Sequence, residues 1–301
     1  MDSVLKGIVP PVITPLLNNE ELDLEGLNNL IEHLISGGVH GLFLLGTNGE
    51  APHLSYKVRK ELITEACKII DNRVPVVVGI TDTSFTGSIE VAEHAKDAGV
   101  DAVVVAPPYY FPISQKEMMV YLENLSKELP LPFMLYNMPS CTKMHTSLDV
   151  VKKAKELGAI GVKDSSGDMF FLYTLIETFK DDPDFSVMAG TELYLPDTII
   201  HGGHGAVPGG ANIFPKLFVD LYDAAVRKDL KEIERLREIV FVLYNTIYNV
   251  GDSPMKITKG TKCSLSVLGI CNGYMAHPLR EFEGEERALI EKYVSDFQKL
   301  L

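Results

Sequence analysis

The stretch Gly158-Ala-Ile-Gly-Val-Lys-Asp-Ser-Ser-Gly-Asp168 joins the end of a predicted buried strand to the start of a predicted helix. Ile160 and Val162 belong to a short apolar run bounded by glycines, and the residues after Lys163 are polar until a helical pattern opens near Asp168. Lys163 is therefore predicted at the carboxyl end of a strand. In α/β folds this end carries the chemistry, although a solvated lysine at the strand exit is the alternative.

The same alternation of strand and helix recurs on both sides of this stretch. Continuous apolar segments rich in valine and isoleucine predict strands that are buried on both faces, as in a parallel sheet covered by helices. These strands are predicted near residues 8–13, 41–45, 74–80, 102–106, 132–136, 186–189 and 205–207. Helices are predicted from apolar spacing between residues 24 and 35 and at about 55–71, 84–98, 114–129, 146–157 and 168–180.

Eight strand–helix units in roughly 225 residues predict a (β/α)8 TIM barrel in preference to a doubly wound sheet. Beyond residue 226 the pattern is helical only, with predicted helices along 230–247, 254–269 and 284–299. We therefore predict a catalytic barrel domain over residues 1–225 and a C-terminal three-helix extension over residues 226–301. The extension should pack on the barrel, because no Gly/Ser/Pro-rich linker separates the two.

Composition and charge exclude several classes of function. The 301 residues are 46% hydrophobic and 23% charged, as in ordinary globular proteins. The formal charge of −13 disfavours nucleic acid and anionic membranes as partners, but it permits a local site for a small acid. No apolar run approaches the ~20 residues of a membrane span, and residues 1–6 lack the pattern of a signal peptide, so we expect a cytoplasmic protein. The four cysteines lack C-x-x-C spacing and are expected to be free thiols.

Four polar groups are predicted at the carboxyl ends of strands two, four, five and six: Thr47, Tyr110, Tyr136 and Lys163. Each has an ordinary alternative, since tyrosines at strand ends are commonly core aromatics and the turn of residues 45–50 could be a plain βα loop. Their coincidence on one face of one barrel favours a site. The glycines of that turn would also let its backbone N–H groups bind a carboxylate.

The predicted site favours Schiff-base chemistry. A lysine amine that loses hydration inside a barrel favours its neutral form and becomes a nucleophile towards a ketone. The resulting iminium withdraws electrons from the neighbouring carbon, and a tyrosine relayed through a threonine to a second tyrosine can move the required proton. Neither a metal nor a cofactor is expected. His201 and His204 lack an evident third ligand, and the glycines of 202–210 do not join a strand to a helix as a dinucleotide fingerprint does.

The whole chain resembles the dihydrodipicolinate synthase/N-acetylneuraminate lyase family of class I, pyruvate-using aldolases. The motifs that carry the resemblance are Gly46-Thr-Asn-Gly-Glu50, Pro108-Tyr-Tyr110, Tyr136-Asn-Met-Pro139, Gly161-Val-Lys-Asp164 with Gly167, Gly190, and the helical tail.

The resemblance implies a role for each matching residue. It implies that Lys163 forms the Schiff base with pyruvate or another 2-oxo acid and that Tyr136 binds the substrate carboxylate and moves protons, with Thr47 and Tyr110 as relay partners. It also implies substrate contacts at Thr47, Asn48, Gly190 and Val207. Tyr110 is expected to act across a dimer contact within a homotetramer built as a dimer of dimers.

Three positions depart from the family's pattern and bear on the substrate. Asn48 replaces the second threonine or serine of the turn, which, with the Lys-Asp-Ser-Ser-Gly form around Lys163, resembles the 4-hydroxy-2-oxoglutarate and 2-keto-3-deoxy-sugar-acid branches. Cys141 stands where dihydrodipicolinate synthases carry an arginine that clamps the aldehyde's carboxylate, and cysteine cannot make that bidentate contact. Glu192 is followed by Leu193, whereas sialic acid lyases carry two adjacent acidic residues after the strand-seven glycine. Cys141 and Glu192 are thus the expected specificity residues, with Lys143 as a candidate replacement cation.

The leading hypothesis is a lyase that reversibly cleaves a 2-oxo-4-hydroxy acid or a 2-keto-3-deoxy sugar acid into pyruvate and an aldehyde. The first alternative is dihydrodipicolinate synthase, which condenses pyruvate with aspartate semialdehyde. The second is a dehydratase that expels water from a 2-keto-3-deoxy acid through the same iminium. The third is a non-catalytic sensor of 2-oxo acids, which would not need the proton relay.

Overall fold

The computed structural model describes residues 5–301, which form eight strands, twelve α-helices and four short 3-10 helices. The strands are β1 Gly7–Ile8, β2 Leu42–Leu44, β3 Val76–Gly79, β4 Ala102–Val105, β5 Phe133–Asn137, β6 Ala159–Asp164, β7 Ser186–Ala189 and β8 Gly205–Ala206. The helices are α1 Leu24–Ser36, α2 Tyr56–Ile70, α3 Phe85–Asp97, α4 Gln115–Glu128, α5 Pro139–Thr142, α6 Leu148–Glu156, α7 Met169–Phe179, α8 Leu195–Ile200, α9 Pro215–Val226, α10 Leu230–Asn245, α11 Lys256–Val267 and α12 Gly284–Phe297.

All strand pairs in the sheet are parallel, and each strand from β2 to β8 lies beside the next in chain order. β1 pairs with β8, and a parallel bridge between Pro11 and Phe43 connects the end of β1 to β2. The sheet therefore closes on itself, and the predicted (β/α)8 barrel is confirmed. Because every strand runs in the same direction, the carboxyl ends of all eight meet at one mouth.

Two apolar cores stabilise this arrangement. The inner one fills the barrel with side chains from alternating strand positions, among them Phe43, Val104, Met134 and Met188. The outer one lies between the strands and the surrounding helices, and it continues into α10 and α12 of the extension. A polar side chain at the mouth of the barrel is thus held on a rigid, close-packed base.

The predicted elements are confirmed with one shortened strand. The expected strand near residues 8–13 is only two residues long, because Pro10 and Pro11 cannot donate to a ladder. The helix predicted near Asp168 is α7, whose first N–H groups are capped when Phe171 N donates to Asp168 Oδ1 at 3.1 Å.

The structure also bears on the expectations about membrane spans, the N-terminal segment and the cysteines. Among residues 5–301, no helix has the length and apolarity that a membrane span requires. The first four residues of the segment used to predict the cytoplasmic location lie outside the described residues. All four cysteines are free thiols, as predicted.

Candidate active site

Lys163 is the next-to-last residue of β6, and its side chain is 4% exposed inside the mouth of the barrel. The ammonium nitrogen Nζ lies 4.1 Å from the centre of the Tyr136 ring and 5.0 Å from that of Phe43. Burial lowers the pKa of Lys163, while attraction and hydrogen bonding to Tyr136 oppose that shift. The alternative of a solvated strand-exit lysine is wrong, because the amine is buried and its neutral form is favoured. The predicted role of Lys163 as a nucleophile stays a prediction.

Tyr136 is the residue of β5 that pairs with Lys163, which explains why the two side chains meet. Its hydroxyl lies 3.4 Å from Thr47 Oγ1, and either group could be the donor. Such a distance is long for a hydrogen bond between two hydroxyl groups. The structure therefore brings together three of the four predicted groups: lysine, tyrosine and threonine.

Thr47 and Asn48 lie in a tight turn after β2. Gly49 N donates to Gly46 O, and Glu50 N donates to Thr47 O, both at 3.1 Å. Leu45 and Glu50, which flank the turn, adopt left-handed φ angles of 56° and 57°. This conformation is unusual for residues with a Cβ, and it shows that surrounding contacts determine the shape of the turn.

Two adjacent cavities open at this mouth. The first, which we call the lysine cavity, has a volume of about 200 Å³. Its lining includes every predicted site residue except Tyr110 and Cys141: Thr47, Asn48, Tyr136, Lys163, Gly190, Glu192 and Val207. At Gly190 a Cβ would collide with the side chain of Ser165, so only glycine leaves this wall open.

The second cavity, which we call the acceptor cavity, has a volume of about 130 Å³ and shares Thr47, Tyr136 and Met138 with the first. Cys141 and Tyr109 also line it. Lys143 is exposed and lines neither cavity, so the structure does not support it as a replacement for the arginine. Among residues 5–301, Lys163 is the one cationic side chain in the lining of the two cavities.

Glu192 is buried beside the lysine cavity, and one of its oxygens is unpaired. Oε1 accepts hydrogen bonds from Gly210 N at 2.5 Å and from the Tyr248 hydroxyl at 2.8 Å. Oε2 is buried and has no hydrogen-bond partner among residues 5–301. Burial raises the Glu192 pKa to about 7, because the charged form loses hydration. The carboxyl can therefore accept a hydrogen bond from a ligand or, when protonated, donate one.

Tyr110 is 72% exposed and packs edge-on against Phe111, outside both cavities of its own chain. The group that its own chain places in the acceptor cavity is Tyr109, which sequence reasoning missed. Two adjacent tyrosines in a loop give no sequence signal for which one points inward. The predicted role of Tyr110 across a dimer contact stays a prediction.

The extension contributes a wall of the site that was also missed. Tyr244, Tyr248 and Ile257 line the lysine cavity, and all three follow residue 226. The available sequence signal was the pair Tyr244 and Tyr248, which are four residues apart along a helical pattern. The lining of one cavity therefore comes from both predicted domains, residues 1–225 and residues 226–301.

The two histidines considered as metal ligands make other contacts. His201 packs edge-on against Tyr173, and His204 Nδ1 accepts a hydrogen bond from Val187 N at 3.1 Å. In the part of the chain that the structure describes, no group of three or more His, Cys, Asp or Glu side chains could hold a metal ion.

Comparison with known proteins shows the family to which this chain belongs. The model of the dihydrodipicolinate synthetase family matches residues 4–297. Over 225 residues, 74% of each chain, the sequence is 36% identical to the Escherichia coli K12 protein named "Putative 2-dehydro-3-deoxy-D-gluconate aldolase YagE".

Solved structures are similar over nearly the whole chain. One is a dihydrodipicolinate synthase from Bacteroides thetaiotaomicron, with a TM-score of 0.94 and 48% identity over 97% of this chain and 98% of that one. Another is YagE from Escherichia coli K12 in complex with pyruvate, with a TM-score of 0.91 and 30% identity over the same shares of the two chains.

Proposed function

Because this chain belongs to the dihydrodipicolinate synthetase family of carbon–carbon lyases, we propose that it cleaves a 2-keto-3-deoxy sugar acid reversibly into pyruvate and an aldehyde through a Schiff base on Lys163. The observation that carries the proposal is the buried Lys163 amine, which lies 4.1 Å from the centre of the Tyr136 ring on the wall of a cavity. The covalent intermediate forms on the lysine itself, so no separate cofactor is part of the proposal.

The proposed cleavage uses these groups in order. Neutral Lys163 attacks the C2 carbonyl, and loss of water from the carbinolamine gives a protonated imine. Tyr136 then passes its own hydroxyl proton into the proposed relay through Thr47 and accepts the proton of the C4 hydroxyl as the C3–C4 bond breaks. The electron pair of that bond moves into the imine to give an enamine. The fragment that contains C4 and its oxygen leaves as an aldehyde, the relay returns the proton to C3, and hydrolysis of the imine releases pyruvate and frees Lys163.

The turn after β2 is proposed to bind the carboxylate of the 2-oxo acid. Thr47 and Asn48 line the lysine cavity, and their backbone lies in a turn whose amide groups can bind an anion. The complex of YagE with pyruvate supports the assignment of pyruvate as the keto partner. Gly190 and Val207 close the cavity around the same substrate.

The distal part of the substrate is proposed to carry hydroxyl groups and no carboxylate. Glu192 offers an unpaired buried oxygen that a hydroxyl can satisfy in either protonation state, whereas its charged form would repel a second carboxylate. Among the described residues no cation lines the acceptor cavity, where Cys141 stands. These features favour a polyhydroxylated sugar acid over 4-hydroxy-2-oxoglutarate, and the name given to YagE agrees with this choice.

A dihydrodipicolinate synthase is the second candidate, because the Bacteroides thetaiotaomicron structure of that name is 48% identical to this chain. Against it stands Cys141, whose thiol cannot pair with the carboxylate of aspartate semialdehyde. The dehydratase alternative uses the same iminium and would differ in its product, a dehydrated keto acid without release of pyruvate.

The decisive experiment is reductive trapping. The protein is incubated with pyruvate and borohydride, digested and analysed by mass spectrometry, with Lys163→Arg as the control variant. We expect added mass on the peptide that contains Lys163, and absence of that adduct would sink every enzymatic assignment made above and favour the sensor.

A substrate panel then separates the enzymatic candidates. We expect pyruvate release from 2-keto-3-deoxygluconate, whereas efficient condensation of pyruvate with aspartate semialdehyde would replace the aldolase proposal with the synthase. We further propose a cytoplasmic homotetramer, and sedimentation of the purified protein measures the assembly.

A further inference from the structure

Helix α11 of the extension contacts the turn after β2 through two polar side chains. Thr258 Oγ1 donates to Asn48 Oδ1 at 3.2 Å, and Lys262 Nζ donates to Glu50 Oε1 at 2.6 Å. Thr258 and Lys262 are four residues apart, so they lie on the same face of α11, one turn above the other. One helix face thus holds both ends of the Asn48–Glu50 segment.

The contact between Lys262 and Glu50 is a fully buried ion pair, with both side chains 0% exposed. Glu50 Oε2 also accepts a hydrogen bond from Ala276 N at 2.8 Å, so both carboxylate oxygens are engaged by the C-terminal part of the chain. A buried charge that loses its partner is strongly unfavourable. The pair therefore restricts Glu50, and through it the turn, to one position.

The turn needs such external contacts because its backbone is unusual. Leu45 and Glu50 both adopt the left-handed conformation, which side chains with a Cβ disfavour. On the barrel side, Thr14 Oγ1 donates to Gly49 O at 2.7 Å. On the other side, the contacts come from Thr258 and Lys262 of α11.

We propose that α11 is part of the carboxylate-binding apparatus, with Lys262 acting through Glu50 and Thr258 acting through Asn48 as positioning residues for the substrate turn. Neither residue lines the lysine cavity, so their effect on the substrate is transmitted by Asn48 and Thr47, which do. This inference rests on the proposed function of the same site. It implies that the extension is required for affinity towards the 2-oxo acid and less for the chemical step at Lys163.

The test measures the rate of borohydride trapping against pyruvate concentration. Thr258→Val keeps the shape of the side chain and removes the donor to Asn48. We expect the pyruvate concentration for half-maximal trapping to rise about 3- to 10-fold, the usual effect of losing one buried hydrogen bond. The maximal rate at saturating pyruvate should change less than about 2-fold, because Lys163 and Tyr136 are untouched, and Thr258→Ser should restore the wild-type dependence.

The ion pair is tested with Lys262→Met and with the double variant Glu50→Gln and Lys262→Met. The single variant leaves Glu50 buried without its cation and should weaken pyruvate binding more than Thr258→Val does. Replacing both charges removes the unpaired carboxylate, so the double variant should recover part of the loss. If Lys262→Met does not fold, the threonine variants alone still decide the proposal.

Ile290→Ala is the matched control, since Ile290 is fully buried in α12 of the same extension and makes no polar contact with the turn. It should lower the melting temperature without moving the pyruvate dependence. The proposal is overturned if Thr258→Val leaves that dependence unchanged, or if Ile290→Ala shifts it equally. An absent adduct in the wild-type protein would instead sink the proposed function, so the two failures are distinguishable.

Discussion

At the scale of single residues, the reactivity of the site depends on how Lys163 is buried. Its amine is enclosed by the barrel and lies against the faces of Tyr136 and Phe43. An aromatic face attracts a cation, but here it replaces stronger hydration by water. Burial therefore has the larger effect, and the neutral amine that attacks a ketone is favoured.

The first prediction concerns the pH dependence of Schiff-base formation. Only the neutral amine attacks the keto group, so the initial trapping rate at low pyruvate should rise with pH and level off above the pKa of Lys163. Since burial lowers that pKa, the midpoint should lie below the ordinary lysine value of 10.5. Rates measured with cyanoborohydride from pH 6 to 11 test this. A rate that still climbs without curvature at the upper end would contradict it.

The second prediction concerns Cys141, the residue on which the substrate question turns. Cys141→Arg places a guanidinium beside the acceptor cavity, where it can pair with the carboxylate of an aldehyde. We expect kcat/KM for aspartate semialdehyde to rise about 10-fold or more, because a charge-assisted bidentate contact contributes more than ~1.4 kcal/mol. Cleavage of the sugar acid should fall.

Cys141→Gln is the control for that variant, since it adds length without charge. If it raises the activity with aspartate semialdehyde as much as arginine does, the effect is steric and the charge argument is wrong. High activity of the unaltered protein with this aldehyde would make the arginine unnecessary and would favour the synthase.

Part of the site could be predicted residue by residue, and the reason is local. Lys163 and Tyr136 end strands, so the alternation of strand side chains and the common direction of the strands bring them together. Tyr109 and Tyr110 lie in a loop beyond β4, where no periodicity fixes the direction of a side chain. The sequence alone could therefore not indicate that Tyr109, and not Tyr110, lines the acceptor cavity of its own chain.

At the scale of elements, apolar periodicity predicted nine of the twelve α-helices to within one or two residues, and α5, α8 and α9 were not predicted. The predicted helix at 114–129 is α4, whose start is set by a capping box between Ser114 and Glu117. Apolar periodicity gave the wrong length for β1, and the missing N–H groups of two prolines explain the difference. The prolines after Ile8 leave only a two-residue β1, and an isolated bridge through Pro11 closes the barrel. Apolarity indicates burial, but it does not count hydrogen-bond donors.

The third prediction concerns the pH dependence of stability that arises from Glu192. This residue follows β7 and contacts Tyr248 in the segment after α10. Its folded-state pKa of about 7 exceeds the ordinary 4.5, so the folded protein binds the proton more tightly than the unfolded chain does. A raised pKa means that this stability is complete below the unfolded value and is lost as pH rises through the folded one. The free energy of unfolding should thus fall by up to about 3 kcal/mol between pH 4.5 and 7.

Glu192→Gln isolates this contribution, because the amide keeps the acceptor at Oε1 for Tyr248 and Gly210 and removes the titration. Urea unfolding at pH 5 and pH 8 should show a smaller loss of stability for the variant than for the wild type. Equal losses would mean that the carboxyl stays in one protonation state throughout.

At the scale of the whole molecule, the barrel and the extension form one site. Tyr244 and Tyr248 from the extension line the lysine cavity, and the buried pair of Lys262 with Glu50 joins contacts separated by 212 residues along the chain. Sequence patterns placed the extension against the barrel but could not show where it packs, since helix amphipathicity defines an apolar face and not its partner. The active site therefore depends on long-range packing that only the folded chain reveals.

The last prediction concerns assembly. Tyr110 is 72% exposed and lines neither cavity of its own chain, so its predicted catalytic role calls for a second subunit. Tyr110→Phe and Lys163→Met should each be nearly inactive alone. In a mixed dimer, the Tyr110→Phe subunit still has Lys163 and receives an intact Tyr110 from its partner, so one of the two sites is complete. Co-refolding equal amounts should recover about a quarter of the wild-type activity, because half of the dimers are mixed.

Recovery at no more than the sum of the two parents would mean that Tyr110 does not act across the dimer contact. In that case Tyr109, already in the acceptor cavity, becomes the candidate for the third member of the proton relay.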